Sequence, residues 1–183
     1  MIIKNITSVD QLKELTQNGF TVFDTEGDRS NKLPYWIYGV TYDKTFNKLA
    51  ELHVGRISHT KEKRKLFMLE KMNRPYSSLD MTLAKAKNKT ENFFNKTDLP
   101  VVIYGSGLDD VLINNLTNNE IDITAYNIQP LFSRVVRKTK NTLALAGAAK
   151  IVGIKLNRNK YQHNPIQDAH VTKVVTRYLI RNF

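Results

Sequence analysis

The sequence predicts a mixed α/β fold, with a five-stranded sheet flanked by helices, and two observations carry that expectation. Three short apolar runs rich in β-branched and aromatic residues follow one another in the first third, two of them joined by a tight turn. Beyond them, apolar runs alternate with segments of helical periodicity, the pattern that lays helices over a sheet.

The elements follow in order. Ser8-Val9-Asp10-Gln11 has the form of a capping box, Leu12 and Leu15 continue a helix, and Gly19 sits where it would stop. Phe20–Phe23 reads as a short strand that runs into Asp24. Trp36–Tyr42 and Lys48–Val54 read as two more, turned back on each other at Asp43–Asn47. Two helices are expected near Thr60–Met72 and Asp80–Asn95. Leu99–Tyr104 is apolar and β-branched, hence a buried strand, and Gly105-Ser106-Gly107 leads from it into another helix. Ile121–Ala125 reads as the last strand. Helices then follow at Leu131–Arg137 and at Asn141–Val152, the latter stopped by Gly153. Pro165 suits the first turn of a final helix reaching about Arg181.

A chain of 183 residues with 41% hydrophobic and 25% charged residues is expected to form one domain, 1–183, with a proper core. The absence of cysteine excludes disulfides, thiolate metal sites and thiol nucleophiles. Neither a secretory signal nor a bilayer-length apolar run is evident, so a cytoplasmic protein without a membrane partner is expected. Lys and Arg number 28 against 17 Asp and Glu, a formal charge of +11, which points to a polyanionic partner. No acid occurs between Asp122 and Asp168, while Arg134, Arg137, Lys138, Lys140, Lys150, Lys155, Arg158 and Lys160 all do. Contacts from such a stretch to phosphates give affinity without sequence specificity.

Three short pieces bear chemistry. In Asp24-Thr25-Glu26-Gly27 the two carboxylates are two residues apart, so they share a face at a strand end. Like charges this close call for a cation, and hard oxygen ligands favour Mg²⁺ or Mn²⁺. Asp109 and Asp110 open a helix after a buried strand and a glycine-rich turn; they suit a metal, and equally suit the helix dipole. In His163-Asn164-Pro165-Ile166-Gln167-Asp168-Ala169 the acid falls in a first helical turn and the imidazole on the loop before it. Histidine is the side chain suited to take a proton from water near neutral pH.

Together these pieces resemble the DnaQ-like, DEDDh-type 3′-5′ exonucleases of the ribonuclease H-like superfamily. Asp24-Thr25-Glu26 is similar to the first motif of that family, Asp109-Asp110-Val111-Leu112-Ile113 to the second, and His163 to Ala169 to the third. The likeness spans about Thr21 to Leu179. Departures accompany it: Tyr104-Gly105 replaces a His-Asn pair, Leu108 an aromatic residue and Pro165 an alanine. The choice between Asp109 and Asp110 therefore stays open, as does substrate preference.

The resemblance implies a ribonuclease H-like fold and two divalent ions, Mg²⁺ or Mn²⁺, per site. Asp24, Glu26 and Asp168 would hold the ion that activates water, Asp24 would bridge to the second ion with Asp109 in support, and His163 would be the general base. Thr25 and Gly27, beside the first acids, and Arg137 and Lys140, in the acid-free stretch, are the expected substrate contacts. The expected substrate is a nucleic-acid 3′ end, single-stranded DNA ahead of RNA. A task beside a polymerase or in a processing complex calls for a separate protein. Two other readings stand beside this one. The first is a non-catalytic nucleic-acid-binding module on the same fold. The second is attachment of the basic Thr60–Met72 helix to an anionic membrane surface.

Overall fold

A computed structural model describes residues 1–55, 57, 81–105, 107–138, 141–156 and 164–183. Its elements are β1 (Ile2–Asn5), α1 (Val9–Thr16), β2 (Gly19–Asp28), β3 (Leu33–Asp43), β4 (Lys48–Gly55), α2 (Leu83–Asn95), β5 (Val101–Ile103), α3 (Asp109–Leu116), β6 (Thr124–Asn127), α4 (Gln129–Arg137), α5 (Leu145–Ile151) and α6 (Pro165–Asn182). The strands form one sheet in the order β1-β6-β5-β2-β3-β4. β2, β3 and β4 are antiparallel neighbours, whereas β5, β6 and β1 join in parallel. The mixed α/β architecture is the one the sequence predicts. The expected helix at Thr60–Met72, with the membrane reading that rests on it, lies outside the described residues. Among the described residues no helix is long and apolar enough to cross a membrane.

The sheet has six strands, one more than the sequence announces. β1 is four residues long and mostly exposed, so it lacks the alternation that marks a half-buried strand. It is held by parallel pairing of Ile2 to Asn5 with Thr124 to Asn127, a non-local contact that its own composition does not reveal. β2 also runs further than Phe20–Phe23. Antiparallel pairing with β3 carries it from Gly19, opposite Asp43, to Asp28, opposite Leu33, so Asp24 and Glu26 lie within the strand. β6 begins three residues later than expected; Ile121 and Ile123 are buried before the strand starts. α5 is shorter than Asn141–Val152 because the backbone of Leu143 bonds elsewhere. Its N–H donates to Ser133 Oγ, and its carbonyl accepts from Tyr104 Oη and Gln129 Nε2.

Two cores lie on the two faces of the sheet. On one, Phe20, Val22, Val40 and Tyr42 pack against Leu12 of α1, Leu131 and Phe132 of α4, Ala148 and Ala149 of α5, and Val171, Val175 and Leu179 of α6. On the other, Phe23, Ile37, Leu52, Val54 and Ile103 pack against Ala86 and Phe94 of α2 and Ile113 and Leu116 of α3. Val22 and Phe23 are thus buried in opposite layers, as side-chain alternation along a strand requires.

Candidate active site

That alternation places the acids. Asp24 and Glu26 continue the Val22 face, the one covered by α6, and stand opposite Tyr38 and Trp36 of β3. Between Glu26 and Gly27 the register shifts by a bulge. A side chain at Gly27 would put its Cβ 2.4 Å from Leu112 Cδ2 and 2.9 Å from the Leu33 carbonyl oxygen, so packing alone requires glycine there.

Asp168 arrives from α6. The Asn164 side chain caps this helix by accepting from the N–H groups of Ile166 and Gln167, and Pro165 sits in its first turn. The cap fixes where the first turn begins, and Asp168, 2% exposed, faces the sheet. Oxygens of Asp24, Glu26 and Asp168 lie within 4.8 Å of one another. Three carboxylates converging at this separation supply hard, anionic oxygens to one point, a donor set that fits a divalent cation of the magnesium or manganese kind.

Asp109 belongs to the other side of β2. Thr25 points away from Asp24 and Glu26, and both its N–H (3.1 Å) and its hydroxyl (2.6 Å) donate to Asp109 Oδ1. Asp109 is therefore not one of the three clustered carboxylates; it joins them through the backbone of the residue between Asp24 and Glu26. Of the two neighbouring acids it is the one tied to β2. Burial raises its pKa above the ordinary carboxylate value, while the two bonds from Thr25 pull the other way.

Two expected results follow from this pair. Thr25→Val removes the hydroxyl and keeps the shape, leaving Asp109 one donor short. Because partners that orient metal-site carboxylates typically contribute about 10–100-fold, divalent-ion affinity or turnover should fall by that order. Unchanged metal titration and turnover would show that the bond orients nothing. The second concerns pH. A folded-state pKa above the unfolded value means that the folded protein binds the proton more tightly. Stability of the metal-free protein is then fullest below the unfolded carboxylate value and declines as pH rises through the folded one. Asp109→Asn keeps an acceptor for Thr25 and removes the titration, so its melting temperature should exceed the parent's at neutral pH and fall less between acid and neutral pH. Parallel pH profiles for the two proteins would assign the loss to other groups.

Further along, Asn127 fastens the turn that leads to Asp109. Its Oδ1 accepts from Gly105 and Gln129 N–H groups, and its Nδ2 donates to Asn5 Oδ1. Gly105 has φ of 99°, a left-handed conformation that glycine adopts without strain. Arg137 is exposed at the end of α4, whereas His163 and Lys140 lie outside the described residues. Arg134, from the same acid-free stretch, donates to the Thr7 carbonyl at 2.6 Å and so also serves to hold α4 to the chain before α1. Sequence reasoning missed Asn127 and the Thr25–Asp109 bond. The signal for Asn164 was present, since an Asn directly before a helix-opening Pro is a capping pattern.

Among solved structures the chain is similar to Escherichia coli Exonuclease I in complex with oligonucleotides. It matches the complex with dA16 at 13% identity and a TM-score of 0.64, over 90% of this chain and 41% of that one. The complex with dT13 matches at 15% identity and 0.62, over 91% and 41%. The complex with 5cy-dA13 matches at 13% and 0.61, over 90% and 40%. The chain thus spans about 40% of the length of that exonuclease. At such identities the likeness concerns the fold, which is the mixed, helix-flanked sheet of the ribonuclease H-like kind. No protein-family model and no curated protein matches the sequence.

Proposed function

We propose that this protein is a divalent-metal-dependent nuclease that hydrolyses phosphodiester bonds at the 3′ ends of nucleic acid. The observation that carries the reading is the convergence of Asp24, Glu26 and Asp168 within 4.8 Å, on a fold like that of an exonuclease bound to oligonucleotides. Divalent metal held at these carboxylates would stabilise the attacking and the leaving oxygen of an in-line displacement. The chain's own residues supply the rest. Asp24, Glu26 and Asp168 hold the cation, and Asp109, fixed by Thr25, supports the site from the opposite side of β2. Arg137 and Lys140 contact the strand and the surplus of +11 attracts it, whereas Thr25 and Gly27, expected to join them, are turned to Asp109 and packed under Leu112 in the opposite layer.

His163, just ahead of the Asn164 cap, takes the proton from the attacking water in this reading. His163→Ala should then lower the cleavage rate by about 10²–10⁴-fold, and parent activity should rise with pH through the neutral range. A flat pH profile together with a fast variant would remove His163 from that role while leaving the carboxylates in theirs.

The direct test is a degradation ladder on 5′-labelled single-stranded DNA and RNA with Mg²⁺ or Mn²⁺, and EDTA as control. Stepwise shortening from the 3′ end that EDTA abolishes is the expected result, with DNA the faster substrate. Tight binding without cleavage of either strand would instead make the chain a non-catalytic nucleic-acid-binding module.

A further inference from the structure

Once α6 leaves the carboxylates it turns basic. After Asp168 it holds no acid, and Lys173, Arg177 and Arg181 follow at intervals of four residues. Positions four apart on a helix lie one above another, so the three cations form a stripe along one flank. Arg177 and Arg181 are exposed and Lys173 is half-buried. The opposite flank packs into the core through Val171, Val175 and Leu179. Lys173 Nζ lies 4.2 Å from the centroid of the Tyr42 ring, and the Arg177 guanidinium 5.6 Å from that of Phe46 in the turn after β3. The near end of the stripe adjoins a cavity lined by Tyr38, Tyr42, Gln167 and His170 together with residues 154–156. Because Tyr38 stands opposite Asp24 in the β2–β3 ladder, that cavity joins the basic flank to the carboxylate site.

The stripe is uncompensated. Elsewhere lysines meet carboxylates: Lys48 meets Glu51 at 2.7 Å and Lys87 meets Glu120 at 2.8 Å. Among the described residues no carboxylate does the same for Lys173, Arg177 or Arg181. Like charges four residues apart weaken a helix, and Arg177 adds to burial in holding the Lys173 ammonium below its ordinary pKa. The ring contacts place the cations without neutralising them. A row of unrelieved positive charge is matched by a row of negative charge, which the phosphates of a nucleic-acid strand supply. A lipid surface fits less well, since a helix that lies in it needs a free apolar face and α6 buries its own in the core.

We propose that Lys173, Arg177 and Arg181 form a phosphate track that holds the part of the strand 5′ to the bond being cut, away from the carboxylates. The inference rests on the nuclease reading for where the 3′ end sits, and it adds a surface that the reading does not include. At about 1.5 Å per residue, the track begins about 8 Å along the helix from Asp168 and ends about 20 Å from it. A stacked strand advances about 3.4 Å per nucleotide, so the track meets roughly the third to the sixth phosphate. Its contacts carry no sequence information, so affinity rises with strand length and is indifferent to base identity.

The test compares the whole chain with a variant that combines Lys173→Gln, Arg177→Gln and Arg181→Gln. Binding of oligothymidylate of about twelve residues, long enough to pass the whole track, is titrated in Ca²⁺ over a range of salt. The slope of log affinity against log salt should be shallower in the variant by about 2, which is about 0.7 for each of three phosphates. Cleavage of a trinucleotide in Mg²⁺, which ends where the track begins, should be equal in the two proteins. An unchanged slope, or a loss on the trinucleotide as large as on the long strand, overturns the track. A measurement on the parent alone guards against misfolding of the variant. Neutral methylphosphonate linkages stepped inward from the 3′ end should weaken binding at roughly the third to the sixth position, and a loss confined to the first two overturns the track. Co-sedimentation with phosphatidylserine vesicles that the variant loses, beside an unchanged slope on the strand, gives the stripe to a membrane instead. A normal degradation ladder with an unchanged slope removes the track alone, whereas a changed slope without cleavage of any strand removes the nuclease reading and leaves the phosphate contacts standing.

Discussion

Asp24→Ala and Asp168→Ala should each reduce metal-dependent cleavage by at least about 10³-fold while leaving a folded protein that still binds nucleic acid. Either change takes one member from a set of three carboxylates within 4.8 Å, and a cation held by two is neither fixed in place nor fully neutralised. Removing one pre-organised electrostatic group from an active site typically costs about 10²–10³ in rate, and a ligand that also retains the ion costs more. Folding should survive, because fewer like charges then crowd the metal-free site. The outcome is read from single-turnover cleavage with Mg²⁺ beside a binding titration in Ca²⁺. Robust metal-dependent cleavage by either purified variant would falsify the assignment of these acids.

Phe23→Ala should have the largest effect on stability. The ring is 2% exposed and meets Phe94 of α2 edge-on, with centroids 5.4 Å apart and planes at 84°. Truncating a buried phenylalanine costs about 3–5 kcal/mol in lost transfer and cavity terms. For a chain of this length that is a drop of roughly 10 °C or more in melting temperature. Urea unfolding measures it, and Phe23→Leu should recover most of the loss. A cost below about 1 kcal/mol would mean that α2 collapses readily into the gap. Since Phe23 directly precedes Asp24, the variant should also bind divalent ions more weakly than its residual stability alone accounts for.

Much of this was legible in the residues, for particular physical reasons. Asp24 and Glu26 declared a shared face because strand alternation is a local rule. Asp168 declared a first-turn position because Pro165 marks a helix start. The buried strand at Val101–Ile103 declared itself by its β-branched run. What stayed hidden depends on contacts between distant segments. β1 exists through its pairing with β6, more than a hundred residues away. Asp109 is distinguished from Asp110 by a bond from Thr25 across 84 positions, which no local pattern encodes. The cavity beside Gln167 likewise needs β3, α6 and residues 154–156 brought together.

The bulge between Glu26 and Gly27 has a consequence for how the protein reaches its working form. Side chains alternate along β2, so slipping it by one residue against β3 would turn Thr25 toward α6 and send both acids to the opposite layer. Such an isomer would keep its strand content, and its circular dichroism would resemble that of the native sheet. It would have lost the cluster of Asp24, Glu26 and Asp168. The extra residue, Tyr35 of β3 across from the Glu26–Gly27 step, together with Leu112 packed against Gly27, ties the ladder to one alignment. Under the proposed function, a metal titration of refolded preparations would therefore separate the two alignments where spectra would not.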